Sequence, residues 1–386
     1  MTTAVSIDPV ELTKTLIRRN SVTPADGGAM DVVQTALEGL GFACRRMKFG
    51  VIENLYARRG TARPNLCFAG HTDVVPVGDA AAWSQGPFEA AVADGVLFGR
   101  GAVDMKSAIA AFISAAQAVL AKGDVAGSIS LLITGDEEGE AVDGTKAVVA
   151  ALAAEGEIID HCVVGEPTSS AALGDMIKIG RRGSINASVV VEGKQGHVAY
   201  PHRAANPVPP LIAFLAAVQA RALDDGYLGF QPSNLEVTTI DVGNPATNVI
   251  PAIARARLNI RFNPSQTGAA LAEWLAAEAA KAGEGFSGTV KLTPQISGEA
   301  FLTEPDRFVE VVAGAVRAVS GTEPELSTTG GTSDARFIRS LCPVVEFGLV
   351  GATMHAVDER APVAEIRALA AIYERMIGDY FAAFST

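Results

Sequence analysis

Residues 65–73, NLCFAGHTD, and residues 128–138, SISLLITGDEE, carry apolar segments that lead directly into histidine and carboxylate side chains. Similar apolar segments recur at His161–Val164 and Pro343–Phe347. Continuous apolar runs of about four to eight residues are typical of strands that are buried on both faces of a sheet. Segments with helical periodicity alternate with them, at 105–122, 145–154, 306–320 and 363–384. The alternation predicts an α/β domain with a mixed sheet and helices on both faces.

From about Ser184 the order of the predicted elements changes to βαββαβ, which is typical of the ferredoxin-like α+β fold. These elements are a strand over Ile185–Glu192, a helix over Asn206–Leu223, strands over Leu235–Val242 and Ala252–Phe262, a helix over Gln266–Ala282 and a strand over Gly288–Ile296. After Pro294 the first pattern resumes. We therefore predict a discontinuous domain of residues 1–182 and 296–386, which carries the site described below, and an inserted domain of residues 183–295.

The composition excludes several classes of protein. The 386 residues are 48% apolar and 19% charged, as in ordinary globular proteins. The net charge of −12 and the lack of a basic run argue against nucleic acid or an anionic membrane as a partner, which leaves a small molecule. No apolar stretch reaches the ~18 residues of a membrane span. Asp8 and Glu11 precede any apolar run, so no secretory signal is predicted and the cytoplasm is expected.

The four cysteines are far apart and form no CxxC pair, so free thiols are expected. Residues suited to metal binding instead follow the predicted strands of the first domain. They are His71, Asp73, Asp104, Asp136, Glu137, Glu138, Glu166 and His355. Because the carboxyl ends of strands in open α/β sheets line the crevice where ligands bind, these side chains are expected to converge.

Each residue also has a simpler interpretation. Asp104 could cap the helix that follows it, Glu166 before Pro167 could belong to an ordinary turn, and a single histidine is usually a loop residue. Their joint placement at strand ends favours a metal site. Histidine and carboxylate ligands suit a pair of Zn²⁺, Co²⁺ or Mn²⁺ ions.

Glu137 and Glu138 are adjacent, and successive side chains of an extended segment point apart. One glutamate can therefore bind metal while the other acts as a general base on a water molecule. Asp73 lies two residues beyond His71 and is expected to accept the second N–H of that imidazole.

Nine motifs resemble those of the M20 metallopeptidases and together cover nearly the whole chain. They are GHTDVVP (70–76), GRGAVDMKS (99–107), LLITGDEEG (131–139), VVGEPTS (163–169), GRRGS (180–184), QGHVAYPH (195–202), TNVIPA (247–252), TGGTSDARFI (329–338) and MHAVDE (354–359). The first four are typical of the family. QGHVAYPH, TGGTSDARFI and MHAVDE are similar to those of the branch that hydrolyses N-succinyl-L,L-2,6-diaminopimelate to succinate and L,L-diaminopimelate.

The resemblance implies two zinc ions per subunit, which cobalt may replace. It implies that His71 and Glu166 hold one ion, that Glu138 and His355 hold the other, and that Asp104 bridges both. Glu137 would be the general base and Asp73 the acid that orients His71.

By the same resemblance, His197 reaches the active site of a second subunit and helps to stabilise the oxyanion. The inserted domain is then a lid and dimerisation domain, and the expected assembly is a homodimer. The resemblance also places the motifs of Arg182, Arg261 and Arg336 near the substrate. Further candidates for binding it are the neutral donors Asn248, Gly331, Thr332 and Ser333, together with Tyr200. Arginine forks suit the three carboxylates of the substrate.

Three alternatives remain open. A related deacylase or dipeptidase of the same family, such as acetylornithine deacetylase, differs only in its substrate. A Rossmann-type dehydrogenase would use GRGAVD (99–104), but this segment lacks the third glycine of GxGxxG. A metal-binding protein without catalytic activity would need no base at Glu137.

Overall fold

The computed structural model describes residues 6–385, and the chain forms two compact units. Unit 1 takes in residues up to Ile179, Thr303–Ser327 and residues from Ser333 onward, and unit 2 takes in Gly180–Leu302 and Thr328–Thr332. Residues 1–5 and 386, at the ends of the predicted discontinuous domain, lie outside the described residues. The domain boundaries at 182/183 and 295/296 stay a prediction.

The helices and strands are numbered here in chain order. The helices are α1 Pro9–Ile17, α2 Ala29–Gly39, α3 Lys106–Leu120, α4 Thr145–Ala154, α5 Val208–Gln219, α6 Gly268–Ala282, α7 Arg307–Ser320, α8 Ala335–Ile338 and α9 Val363–Phe384. The strands are β1 Ala43–Phe49, β2 Ile52–Arg59, β3 Asn65–His71, β4 Val92–Ala93, β5 Val96–Phe98, β6 Ser128–Thr134, β7 His161–Val164, β8 Met176–Lys178, β9 Gly180–Arg181, β10 Gly183–Glu192, β11 Gly196–His197, β12 Asn234–Asp241, β13 Val249–Ile250, β14 Ile253–Phe262, β15 Thr289–Gly298, β16 Phe301–Leu302, β17 Glu325–Ser327, β18 Val344–Glu346 and β19 Arg360–Pro362.

Unit 1 contains a mixed eight-stranded sheet in the order β1-β2-β6-β3-β7-β18-β8-β17. Strand β3 runs parallel to β6 and β7 at its centre, and every residue of β3 and β6 is buried. This full burial explains the apolar runs Leu66–Ala69 and Leu131–Ile133 at the centres of the two strands. The buried polar residues Ser130 and Asn65 hydrogen-bond to each other. Helix α3 packs against β3 and α9, and the rings of Phe68 and Phe112 stack 4.4 Å apart between these elements. The predicted α/β class is confirmed.

The hairpin of β1 and β2 is absent from the sequence-based prediction. The two strands pair antiparallel from Ala43↔Arg58 to Phe49↔Ile52, and β2 also pairs with β6. Strand β1 lies at the edge of the sheet, and Met47 is its only buried residue. Its charged sequence therefore carries no apolar run.

Unit 2 contains a four-stranded antiparallel sheet in the order β12-β14-β10-β15, with α5 and α6 packed on it. The order along the chain is βαββαβ, so the predicted ferredoxin-like α+β fold is confirmed. Along β14, buried Ala254, Ala256 and Leu258 alternate with exposed Arg255 and Arg257. One face of this sheet is therefore core and the other is polar, as the alternation predicts.

All four cysteines are free thiols, as expected, and Cys67, Cys162 and Cys342 are buried. Within residues 6–385 no helix combines the length and the apolar character that crossing a membrane requires.

Candidate metal centre

Three neighbouring parallel strands bring the predicted ligands to one edge of the unit 1 sheet. Strand β3 lies between β6 and β7, and His71 is its last residue. The loop with Glu137 and Glu138 follows β6, and Glu166 lies two residues beyond the end of β7. Because parallel strands end at the same edge, these side chains leave the sheet next to one another.

Two adjoining groups of ligand atoms share Asp104. In the first group, His71 Nε2 lies 3.1 Å from Asp104 Oδ1 and 3.8 Å from Glu166 Oε1. In the second, His355 Nε2 lies 3.2 Å from Asp104 Oδ2 and 2.8 Å from Glu138 Oε1. Within each group the ligand atoms all lie within 4.8 Å of one another. Each oxygen of Asp104 therefore faces a different histidine.

Close packing around Met105 holds Asp104 in this position. A Cβ added to Gly70 would lie 2.7 Å from Met105 Cε, and one added to Gly165 would lie 2.8 Å from the same atom. These glycines directly precede His71 and Glu166. Because they have no side chain, Met105 packs against both strand ends, and the adjacent Asp104 lies within hydrogen-bond distance of His71. The N-cap residue of α3 is Met105, and no side chain caps this helix, so the interpretation of Asp104 as a helix cap is wrong.

Asp73 contacts the site differently from the prediction. His71 Nδ1 lies 2.9 Å from the backbone oxygen of Asp73 and 3.7 Å from its carboxylate, so the predicted bond to the carboxylate is not made. The carboxylate instead accepts hydrogen bonds from the amides of Glu137 at 3.2 Å and Glu138 at 3.0 Å. Two consecutive amides satisfy both of its oxygens, and the buried Asp73 thereby fixes the acidic loop.

The electrostatics of the cluster favour bound cations. Burial raises the pKa of Glu137, and nearby Asp334, Glu138 and Asp104 raise it further, although His71 lowers it. Burial also raises the pKa of Glu166, together with Asp104 and Glu137. Because desolvation and like charges disfavour ionised carboxylates, divalent cations among them would offset both effects. Imidazole nitrogens and carboxylate oxygens are also the donor set that Zn²⁺ and Co²⁺ accept, so these residues fit such ions.

Hydrogen bonds to the carboxylates of Asp104 and Glu138 raise the pKa of His355 to about 10. The side chain is about half exposed, whereas His71 is 1% exposed. The second group of ligand atoms is therefore the more accessible one.

The other predicted residues lie mostly in unit 2. His197 on β11 is exposed and pairs with Val249 of β13, next to Asn248, whose oxygen accepts a hydrogen bond from the amide of Val198 at 3.1 Å. The ring of exposed Tyr200 lies 5.7 Å from that of His197. Gly331 and Thr332 belong to the same unit.

Arg182 and Arg261 are close neighbours on the polar side of unit 2. Arg182 donates to Asn234 Oδ1 at 3.0 Å, and Arg261 donates to Asn259 Oδ1 at 3.0 Å. Burial lowers the pKa of Arg261, and the charge of Arg182 lowers it further. Ser333 belongs to unit 1, where its buried hydroxyl donates to Glu346 Oε1 at 2.6 Å.

Two further residues contact the cluster, Arg100 and Glu359, and neither has a role predicted from the sequence. Both lie inside the motifs GRGAVDMKS and MHAVDE, and Glu359 accepts a hydrogen bond from the Asp104 amide at 3.1 Å. The sequence feature that points to them is a charged residue within a family motif that has no predicted role as a metal ligand.

Comparisons with known proteins identify a family, and relatives that cover nearly the whole chain. Residues 67–379 match peptidase family M20/M25/M40. The chain is 73% identical over 379 residues to a protein of Phenylobacterium zucineum named succinyl-diaminopimelate desuccinylase, with 98% of this chain and all of the relative covered. A Caulobacter vibrioides protein of the same name is 72% identical over 382 residues, with 99% and 98% covered.

A solved structure shows the same fold at low identity. The M20 family metallo-carboxypeptidase Sso-CP2 from Sulfolobus solfataricus superposes with a TM-score of 0.79 at 18% identity. The match covers 97% of this chain and 99% of that one.

Proposed function

The chain belongs to peptidase family M20/M25/M40, and from this premise we propose that it hydrolyses the amide bond of N-succinyl-L,L-2,6-diaminopimelate. The products are succinate and L,L-diaminopimelate, a precursor of lysine. The observation that carries the proposal is the identity of 72–73%, over nearly the full length, to two proteins named for this reaction. The cluster of histidines and carboxylates supplies the matching hydrolytic chemistry. The cytoplasm is the proposed location.

We assign two zinc ions to the cluster, and cobalt is expected to replace them. His71 and Glu166 would hold one ion, Glu138 and His355 the other, and Asp104 would bridge them. Asp104 Oδ1 lies 3.1 Å from His71 Nε2, and Asp104 Oδ2 lies 3.2 Å from His355 Nε2. This placement of one oxygen beside each histidine supports the assignment. Bound zinc supplies Lewis-acid polarisation of the scissile carbonyl and increases the acidity of water.

Glu137 is the proposed general base. Its carboxylate accepts a proton from the attacking water and returns it to the amide nitrogen, so that succinate and the free amine leave. Asp73 binds the amides of Glu137 and Glu138, and it is proposed to keep both side chains directed into the cluster.

Arg182 and Arg261 are proposed to bind substrate carboxylates, together with Tyr200, Asn248, Gly331, Thr332 and Ser333. The two guanidinium groups lie close together, and their hydrogen bonds to Asn234 and Asn259 are to neutral amides. Two guanidinium groups with neutral hydrogen-bond partners favour an anionic ligand. A substrate carboxylate can pair with them without displacing a carboxylate of the protein.

The experiment that tests this function compares substrates. We expect the purified protein, loaded with zinc, to hydrolyse N-succinyl-L,L-2,6-diaminopimelate with a kcat/KM at least about 100-fold above that for acetylornithine, since a recognised carboxylate contributes several kcal/mol. Faster turnover of acetylornithine or of a dipeptide would assign the chain to a related deacylase or dipeptidase.

Arg261→Ala tests whether this arginine recognises a substrate carboxylate. Its kcat/KM should fall much more for the tricarboxylate substrate than for a short, singly charged acyl amino acid. Equal losses on the two substrates would show that Arg261 acts on folding or on the scissile group shared by both.

His197 is proposed to act in a homodimer, on the active site of the other subunit. Every proposed metal ligand belongs to unit 1, whereas His197 belongs to unit 2 and is exposed. His197→Ala should lower the rate by about 10²–10³-fold with little change in metal content, because the lost N–H stabilises the oxyanion.

Mixing two inactive variants tests whether the contact crosses between subunits. Heterodimers of His197→Ala with Glu137→Gln would hold one composite site with both residues intact, so activity should reappear after subunit exchange. Verified heterodimers that stay as inactive as their parents would exclude action between subunits. Full activity of His197→Ala alone would exclude any catalytic role.

A further inference from the structure

Arg100 and Glu359 form an ion pair in the interior of unit 1 that the proposed chemistry does not use. Arg100 is 2% exposed and Glu359 is fully buried, and Arg100 Nη1 donates to Glu359 Oε2 at 2.7 Å. Burying two charges is costly, and such a pair often adds no stability relative to apolar residues of the same size. The hydrogen bonds of the pair indicate a role other than stabilising the core.

The second oxygen of Glu359 binds the backbone at Asp104. Glu359 Oε1 accepts hydrogen bonds from the amides of Val103 at 2.9 Å and Asp104 at 3.1 Å. These bonds fix the backbone from which the Asp104 carboxylate projects between His71 and His355.

The guanidinium of Arg100 binds the backbone at His355. It donates to the carbonyl oxygens of His355 at 3.3 Å, Ala356 at 3.2 Å and Pro76 at 3.3 Å. His355 has a φ of +60°, a left-handed conformation that is sparsely populated outside glycine and persists where surrounding contacts enforce it. Arg100 supplies one such contact, and through Pro76 it also reaches the segment that follows His71.

We propose that Arg100 and Glu359 are a positioning pair that sets the separation of Asp104 from His355 and thereby the affinity of the second metal site. The proposal rests on the proposed function, since it assumes that these two residues bind metal. The planar fork of arginine binds several oxygens at once, which the single ammonium of lysine cannot reproduce. The ion pair thus joins two backbone segments that are more than 250 residues apart in the chain.

The test measures metal affinity in Glu359→Gln and Arg100→Lys, by titrating the protein with Co²⁺ against a competing chelator. Each variant should bind one of the two Co²⁺ ions about 10–100-fold less tightly, which is the usual cost of changing a residue that orients a metal ligand. The visible absorption of the Co²⁺-loaded protein should also change, because ligand positions determine it.

Arg58→Lys and Glu157→Gln are matched controls. Arg58 on β2 and Glu157 form a partly buried ion pair whose two residues contribute no atom to the metal groups. These variants should keep the affinity and the Co²⁺ spectrum of the wild type.

Folded Arg100 and Glu359 variants with wild-type affinity and spectrum would overturn the positioning role. Equal losses in the control pair would also overturn it, and so would failure of both variants to fold, since the pair would then serve stability alone. A wild-type protein that binds no Co²⁺ would instead contradict the proposed function.

Discussion

Removal of divalent metal from the purified protein is expected to abolish amide hydrolysis, and added Zn²⁺ or Co²⁺ is expected to restore it. Without the cations, the scissile carbonyl and the attacking water lose their activation. The carboxylates of Glu137 and Glu166 then also lose the charges that would offset their repulsion from neighbouring acidic groups. Hydrolysis rates before chelation, after it and after metal is returned provide the measurement, with elemental analysis at each step.

Two histidine variants separate loss of metal from loss of fold. His355→Ala should lose about half of the bound metal, because the proposed assignment makes His355 a ligand of one of the two ions. His161→Ala is the control, since His161 lies away from these groups and its Nδ1 is 2.9 Å from the hydroxyl of Tyr380. Full activity in a demonstrably metal-free wild type would contradict the assignment of metal ions to the cluster.

Glu137→Gln is expected to lower kcat by about 10²–10⁴-fold, because the amide has the size of the carboxylate but cannot accept the proton of the attacking water. Metal content should stay close to that of the wild type, since Glu137 is not among the proposed ligands. Rate measurements and elemental analysis on the same preparation test both expectations.

Glu138→Gln is the matched variant one residue away, and it should lower the occupancy of one ion. Glu138 Oε1 lies 2.8 Å from His355 Nε2, within the second ligand group. If Glu137→Gln loses metal and Glu138→Gln keeps it, the roles of the two glutamates are exchanged.

Sequence patterns predicted the elements whose burial is visible in their own residues. Strand β7 and helix α4 have the predicted bounds His161–Val164 and Thr145–Ala154. A strand that is buried on both faces is mostly apolar, and such a run is visible in the local sequence. Edge strand β1 has one buried residue, and the three-residue strands β8 and β17 pair with each other from distant parts of the chain, so their own sequences carry little signal.

Which ligand types follow which strands could be predicted from the sequence, because a strand and the residues after it are contiguous. Which atoms meet depends on how the segments pack: the two Asp104 oxygens face different histidines, and the Asp73 carboxylate binds amides of the acidic loop rather than an imidazole. The same holds for Arg100 and Glu359, which meet across 259 positions of the chain. Hydrogen bonds depend on distances of about 3 Å between folded segments, and no periodicity along the chain encodes such distances.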